Sequence, residues 1–317
     1  MSGEAGGPVQ RTVLLDCDPG HDDAIAILLA AGSPMMELAG ITTVAGNQTL
    51  DKTTHNARVV ATVAGLDHVP VVAGCDRPLL RVLRTAAQIH GDSGLDGPSP
   101  VAPTVTVRPG HASDFLAETI LARPGEITLV ATGPLTNLGL ALRRHPALAE
   151  AVRELVIMGG AYGPGNVTPV AEFNIYVDPE AAAIVFDAPW HVTMIGLDLT
   201  RQASCPDSVQ ESLRSLGTGP ARFVDQLLTF YRRAYLESTG LIDPPVHDPC
   251  AIAYAAAPEL FETRPAHVRV EACGALTAGT TVTDFSARSP GAGHEVAVKL
   301  NAAAFWKMLL DAIAHLG

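Results

Sequence analysis

The sequence predicts a single α/β domain, a mostly parallel central sheet flanked by helices on both faces. Three observations carry that reading. Short β-branched apolar runs alternate with longer helical patterns along the chain. Acids and amides gather just after those runs, where open α/β sheets collect their ligands. No Ser/Gly linker or block of like charge divides the 317 residues, a length that one large domain accommodates. Residues 1–10 are small and polar and read as a flexible N-terminus, leaving 11–317 as the domain.

The elements follow in order. Thr12–Leu15 reads as a buried strand with its core at Val13–Leu15, and Ala24–Ala31 as a buried helix stopped by Gly32-Ser33-Pro34. Ile41–Val44 is the next strand, followed by a helix over Thr53–Ala64 with Gly65 as its C-cap. Val69–Val72 is another strand. The stretch Pro78–Pro109 is rich in Gly and Pro and reads as a long functional loop. Helix Ser113–Ala122, strand Ile127–Ala131, helix Leu135–Arg144, strand Leu155–Met158, helix Pro179–Phe186 and strand Val192–Ile195 continue the alternation. Helices over Pro206–Leu216, Pro220–Glu237 and Asp248–Ala256 come next. The tail reads as two or three strands between His267 and Val298, closed by helix Ala302–Ala314.

Composition narrows the function. Hydrophobic residues make up 47% of the chain, ample for a core. Lys and Arg total 21 against 33 Asp and Glu, a net charge of −12, so neither nucleic acid nor an anionic membrane surface is an expected partner. The five cysteines (Cys17, Cys75, Cys205, Cys250, Cys273) are scattered and form no CxxC pair, which argues against a disulfide framework and a zinc site and suits a reducing cytoplasm. Met1–Gln10 carries no cationic, apolar signal sequence, and the longest apolar stretch, Ala24–Gly32, is too short to span a bilayer. A soluble, cytoplasmic protein is expected.

The chemistry gathers first at Asp16-Cys17-Asp18-Pro19-Gly20-His21-Asp22-Asp23, where four aspartates fall within eight residues. Like charges so close raise one another's pKa unless a cation or several donors neutralise them, and a hard ion such as Ca²⁺ or Mg²⁺ prefers such oxygens. The ordinary reading is a helix cap by Asp22 or Asp23, but one cap needs one acid. An EF-hand starting at Asp16 is excluded, because Gly20 and Ile27 stand where acidic ligands are needed. Gly159-Gly160-Ala161-Tyr162-Gly163 is not GxGxxG and no Walker lysine follows it. Asn47 follows the second strand, Thr132-Gly133-Pro134 another, and Asn166, Glu172 and Asn174 lie in the loop opened by Gly159-Gly160. All are expected to converge at the carboxyl ends of the strands. Farther on, His247 reads by itself as a half-buried histidine and Asp248 as the N-cap of the next helix, and His90 as a loop histidine. His55, His68, His145 and His191 receive no role.

Taken together these segments resemble the inosine-uridine preferring nucleoside hydrolases. The resemblance rests on Asp16 to Ala24, on Ile41-Thr42-Thr43-Val44-Ala45-Gly46-Asn47-Gln48-Thr49 and on Ala171-Glu172-Phe173-Asn174. Gly196-Leu197-Asp198-Leu199-Thr200 and Val246-His247-Asp248-Pro249-Cys250 complete it, and the likeness runs from about Arg11 to the C-terminus. It implies a Ca²⁺ site made by Asp18, Asp23, the carbonyl of Thr132 and Asp248, with a water and the ribose hydroxyls completing an all-oxygen shell. It implies that Asp22, Asn47, Asn166, Glu172 and Asn174 bind the ribose of a ribonucleoside substrate. It further implies hydrolysis of the N-glycosidic bond through an oxocarbenium-like transition state, in purine and pyrimidine salvage. Asp18 is the implied base and His247 the implied partner of the departing nucleobase, with His90, Tyr231 and Tyr235 on the base side. The family commonly forms homotetramers, with a dimer as the alternative. The chain departs from the family at Thr239-Gly240, where the inosine-uridine enzymes carry an arginine-tyrosine pair, and its only tryptophans are Trp190 and Trp306, so no tryptophan-rich purine pocket is expected.

Two competing readings differ in class. Asp16-x-Asp18 after an apolar strand copies the opening of haloacid-dehalogenase-type phosphatases, which call for Thr or Val where Gly20 stands. A catalytically silent nucleoside-binding protein would use the same pocket without turnover.

Overall fold

The computed structural model describes residues 10–286 and 293–317, so the expected flexible N-terminus lies outside the described residues except for Gln10. The first half contains β1 (Arg11–Cys17), α1 (His21–Gly32), β2 (Met36–Thr43), α2 (Leu50–Val63), β3 (Val71–Ala73), α3 (Ala87–His90), α4 (Ala112–Ala122), β4 (Ile127–Ala131), α5 (Thr136–Arg144), α6 (Leu148–Ala151) and β5 (Glu154–Met158). The second half runs α7 (Phe173–Val177), α8 (Pro179–Phe186), β6 (Val192–Ile195), α9 (Leu197–Thr200), α10 (Asp207–Leu216), α11 (Gly219–Thr239) and α12 (Asp248–Ala256). It closes with β7 (Phe261–Glu271), β8 (Thr280–Asp284), β9 (His294–Leu300) and α13 (Ala302–His315).

One nine-stranded sheet orders these strands β3-β2-β1-β4-β5-β6-β9-β7-β8. Pairings from β3 across to β9 are parallel, and β7 runs antiparallel to both β9 and β8. The predicted class holds. Alternation along the central strands sorts their side chains onto two faces, as a period of two requires. Val13, Leu15, Val130, Val156 and Met158 pack into one core with α1, α12 and α13. Leu14, Leu129, Ala131, Leu155 and Ile157 pack into another with α4, α5 and α8. Strands covered on both faces need apolar residues at every position, which is why they read as continuous runs. Among the described residues no helix is long and apolar enough to cross a membrane.

Several boundaries shift. α1 begins at His21, with Gly20 as its N-cap and Asp23 accepting the Gly20 N–H at 3.0 Å, so Asp22 caps nothing. Asp248 is likewise the first residue of α12 and His247 its N-cap. β2 starts at Met36, because the exposed Glu37 and half-buried Ala39 hide the strand's first half. Gly65, at φ +69°, follows the C-cap Ala64 of α2. The Pro78–Pro109 stretch is irregular apart from α3 and a single bridge from Val71 to Val107. Gly32 ends α1 where it crosses α13, and a Cβ there would collide with the Ala312 carbonyl.

Candidate active site

The carboxyl ends of β1, β2, β4 and β5 open onto one cavity of ≈ 330 Å³. Asp22, Asn47, His90, Thr132, Asn166, Glu172, Asn174, Tyr231, Tyr235, His247 and Asp248 line it. Residues singled out from segments more than 200 positions apart therefore meet at one place. Asp18 and Asp23, both 0% exposed, are absent from the lining and sit in the packed layer below it. The lining also includes Ala86, Gln88, Ile89, Met158, Val167, Phe173 and Ser238, which the sequence reading did not single out. Their only signal is adjacency, since Gln88 and Ile89 precede His90, Val167 follows Asn166 and Phe173 separates Glu172 from Asn174.

The floor is acidic and buried. Asp22, Asp23 and Asp248 each offer a carboxylate oxygen within 4.8 Å of the others. Asp23 is held by Thr132 Oγ1 at 2.8 Å on one oxygen, and by the Gly20 N–H and the Asn47 amide at 3.0 and 3.1 Å on the other. Asp18 Oδ2 accepts the Asn47 N–H at 2.6 Å, but its buried Oδ1 has no partner among the described residues. The chain has cleared space around this side chain. A Cβ on Gly46 would collide with Asp18 Oδ2, and one on Gly133 would lie 2.8 Å from Oδ1. No lysine or arginine forms an ion pair with these acids among the described residues. Burial, then repulsion from Asp23, pushes the Asp18 carboxyl well above its usual range, and burial with repulsion from Asp22 and Asp23 does the same to Asp248. Asp22 and Asp23 are raised as well, chiefly by burial.

Amides and carbonyls surround this floor. The Thr132 carbonyl accepts the Asn174 amide at 2.8 Å, and that amide also reaches the Met158 carbonyl at 3.1 Å. Glu172 caps α7, accepting the N–H groups of Gly160, Asn174 and Ile175 at 3.0–3.2 Å, yet burial still raises its carboxyl to about 7. Asn166 Oδ1 accepts the Phe173 N–H at 3.0 Å, leaving its amide nitrogen free to donate.

The wall opposite is aromatic. Tyr231 points its hydroxyl at Asp22 Oδ2 and the Pro245 carbonyl, both at 3.4 Å, and packs edge-on against Tyr235. His247 lies between two hydroxyls, Tyr235 at 3.0 Å from Nε2 and Thr200 at 2.7 Å from Nδ1, and burial lowers its pKa. His90 accepts the His21 N–H at Nδ1, 3.1 Å away, so its own proton belongs on Nε2. His21 stacks between His90 and Phe230 and carries its Nε2 against the Asp96 carbonyl at 2.8 Å. Trp190 and Trp306 are buried in the cores, away from the cavity.

The profile of the family described as inosine-uridine preferring nucleoside hydrolase matches residues 13–307. The inosine-uridine preferring nucleoside hydrolase of Leishmania major is 48% identical over 310 residues, 97% of this chain and 98% of the relative. A pyrimidine-specific ribonucleoside hydrolase of Citrobacter koseri is 47% identical over 274 residues, 86% of this chain and 88% of the relative. Among solved structures, the purine-preferring ribonucleoside hydrolase from Gardnerella vaginalis superimposes with a TM-score of 0.92 at 32% identity, covering 96% of this chain and 99% of that one. Shared sequence, fold and order of motifs over nearly the whole chain place it in the inosine-uridine preferring nucleoside hydrolase family.

Proposed function

We propose that this chain is a Ca²⁺-dependent ribonucleoside hydrolase that releases ribose and the free base in purine and pyrimidine salvage. One observation carries the proposal most directly. Among the described residues, the fully buried Oδ1 of Asp18 has no partner and lies in a nest of carboxylates to which no cationic side chain is paired. An uncompensated charge of this kind is costly, and a hard cation is what such an oxygen donor set accepts. The all-oxygen donor set suits the ion, and the carboxylate oxygens that lie within 4.8 Å of one another are those of Asp22, Asp23 and Asp248. Asp18, Asp23, Asp248 and the Thr132 carbonyl would hold it. When bound, Ca²⁺ neutralises the floor, acidifies water and orders a sugar diol.

The chain's own groups divide the remaining work. Asp22, Asn47, Asn166, Glu172 and Asn174 surround the ribose, pairing carboxylates with hydroxyl donors and amides with either partner. Water attacks the ribosyl carbon as the bond to the base nitrogen breaks, and Asp18 takes the proton that the water loses. The remaining carboxylates stabilise positive charge as it grows on the sugar. The departing base gains a hydrogen bond or proton from the wall formed by His247 and Tyr235, with His90 and Tyr231 setting that side of the cavity.

Residues 11–317 act as one unit in this reading, as a homotetramer or dimer in the cytoplasm. Five unbonded cysteines support a reducing compartment. The test is ribose release from inosine, uridine, cytidine, adenosine and guanosine, before and after chelation. Release that chelation abolishes and Ca²⁺ restores supports the proposal. No release from any riboside by the folded, Ca²⁺-loaded protein would instead leave a nucleoside-binding protein.

A further inference from the structure

Helix α9 and Arg201 behind it contribute no side chain to the cavity lining, yet they hold two segments that do. Asp198 accepts the N–H groups of Tyr162 and Gly163 at 2.8 and 3.3 Å. Arg201 donates to the carbonyls of Pro164 and Gly165, both at 2.9 Å, so the loop leading to Asn166 is held from outside. On the other side Thr200 Oγ1 meets His247 Nδ1 at 2.7 Å.

That last contact has a direction. Thr200 is fully buried, and among the described residues its hydroxyl has no other hydrogen-bond partner. A hydroxyl that accepted from Nδ1 would leave its own O–H buried without an acceptor, at a cost of about 1–3 kcal/mol. Donating to Nδ1 avoids that cost and occupies the Nδ1 lone pair. The neutral imidazole then carries its proton on Nε2. Nε2 is the nitrogen turned toward Tyr235 and the cavity, 3.0 Å from the phenol oxygen. Tyr235 accepts there and keeps its own O–H to donate into the cavity.

We infer that Thr200 is a positioning residue that sets the Nε2–H tautomer of His247 and so aims its proton at the base side of the cavity. The kinetic consequence rests on the hydrolase reading, whereas the tautomer does not. The experiment uses the full-length protein with ¹⁵N-labelled histidine and long-range ¹H–¹⁵N spectra. Because the chain has 11 histidines, the signals of His247 are identified by difference against His247→Gln. The wild type and Thr200→Ser should both show the Nε2–H form. Thr200→Val should show a mixture or the Nδ1–H form, with kcat for ribosides lowered about 10- to 100-fold, KM little changed, and activity restored in Thr200→Ser. Near-UV circular dichroism establishes that Thr200→Val is folded. If it does not fold, the wild-type and Thr200→Ser spectra still decide. An Nδ1–H or doubly protonated ring in the wild type overturns the inference, as does a folded Thr200→Val with wild-type tautomer and kcat. A wild type that turns over no riboside defeats the hydrolase reading alone, because the spectra report the tautomer without turnover.

Discussion

The cavity floor and the rim formed by the end of α11 and the residues after it are built on opposite terms. Every residue from Asp16 to Asp23 is buried, and both oxygens of Asp23 are bonded to groups from other segments. By contrast, residues 236–243 are all exposed, with Ile242 at 71%. Burial makes the floor an all-or-none arrangement, since removing one partner there strands another in a buried site. The rim bears less of that constraint: Asp243 and the Ile242 carbonyl hold Arg232, but the hydroxyls of Ser238 and Thr239 bond only to nearby backbone. Of its residues only Ser238 and Thr239 line the cavity, and changes there make little demand on the fold. In the proposed reading, chemistry thus sits where substitution is costly and base preference where it is cheap.

The sharpest way to break this contrast is Asp18→Asn. Turnover should fall by at least ~10³-fold, as for loss of a base and a ligand together. In chelator, however, this variant should melt about 2–4 °C above the wild type, because a carboxyl whose ionisation is opposed by burial and by Asp23 has been replaced by a neutral amide. Wild-type-like rates would remove Asp18 as the base, and a lower melting point in chelator would contradict the account of its orphaned oxygen.

Metal removal comes next. Chelation should abolish ribose release, and Ca²⁺ at a hundredfold excess over Kd should return about 2.7 kcal/mol of stability. The chelated protein should also depend on pH in a defined sense. The Glu172 carboxyl is raised to about 7, so the folded state binds its proton more tightly than the unfolded one. That stabilisation is complete below the unfolded pKa near 4.5 and is lost as pH rises to about 7. In chelator the melting point of the wild type relative to Glu172→Gln should therefore fall between pH 4.5 and 7.5, and a flat or rising difference would contradict it.

His247→Ala probes the boundary between floor and rim. It should cost about 10²- to 10³-fold for natural ribosides but little for a riboside whose leaving group needs no proton. Equal losses on both substrates would assign His247 to sugar binding instead. The smallest effects belong to the rim. Thr239→Val and Ile242→Ser should change stability by less than about 0.5 kcal/mol. Thr239→Val, on the cavity lining, should nevertheless alter the purine-to-pyrimidine ratio of kcat/KM by about 3- to 10-fold, within the reach of a single pocket contact, whereas Ile242→Ser, outside the lining, should leave it unchanged. Stability losses above 2 kcal/mol in thermal melts would show that the rim is not independent of the core.

Legibility in the sequence follows the same division. The aspartates at the end of β1 and just after it were readable because four acids on one short segment demand a neutraliser whatever surrounds them. The strands were readable because double-sided burial imposes continuous apolar runs. α6, α7 and α9 went unread, since helices of four or five residues are too short to show a helical period. Thr200 appeared only as part of a family motif, for nothing near it in the chain reveals a histidine 47 positions away. His21 is similar: its place beneath His90 and Phe230 depends on three separate segments.

By itself, then, the sequence determined the α/β class, the order of most strands and helices, and the residue types offered at the strand ends, because periodicity and charge crowding are local properties. The tertiary structure decided which acids share a floor, which oxygen of Asp18 is left without a partner and which hydroxyl faces each nitrogen of His247. Those facts depend on distances between segments as far apart as Asp22 and His247, and hydrogen bonds and desolvation act only over such short distances once the chain has folded.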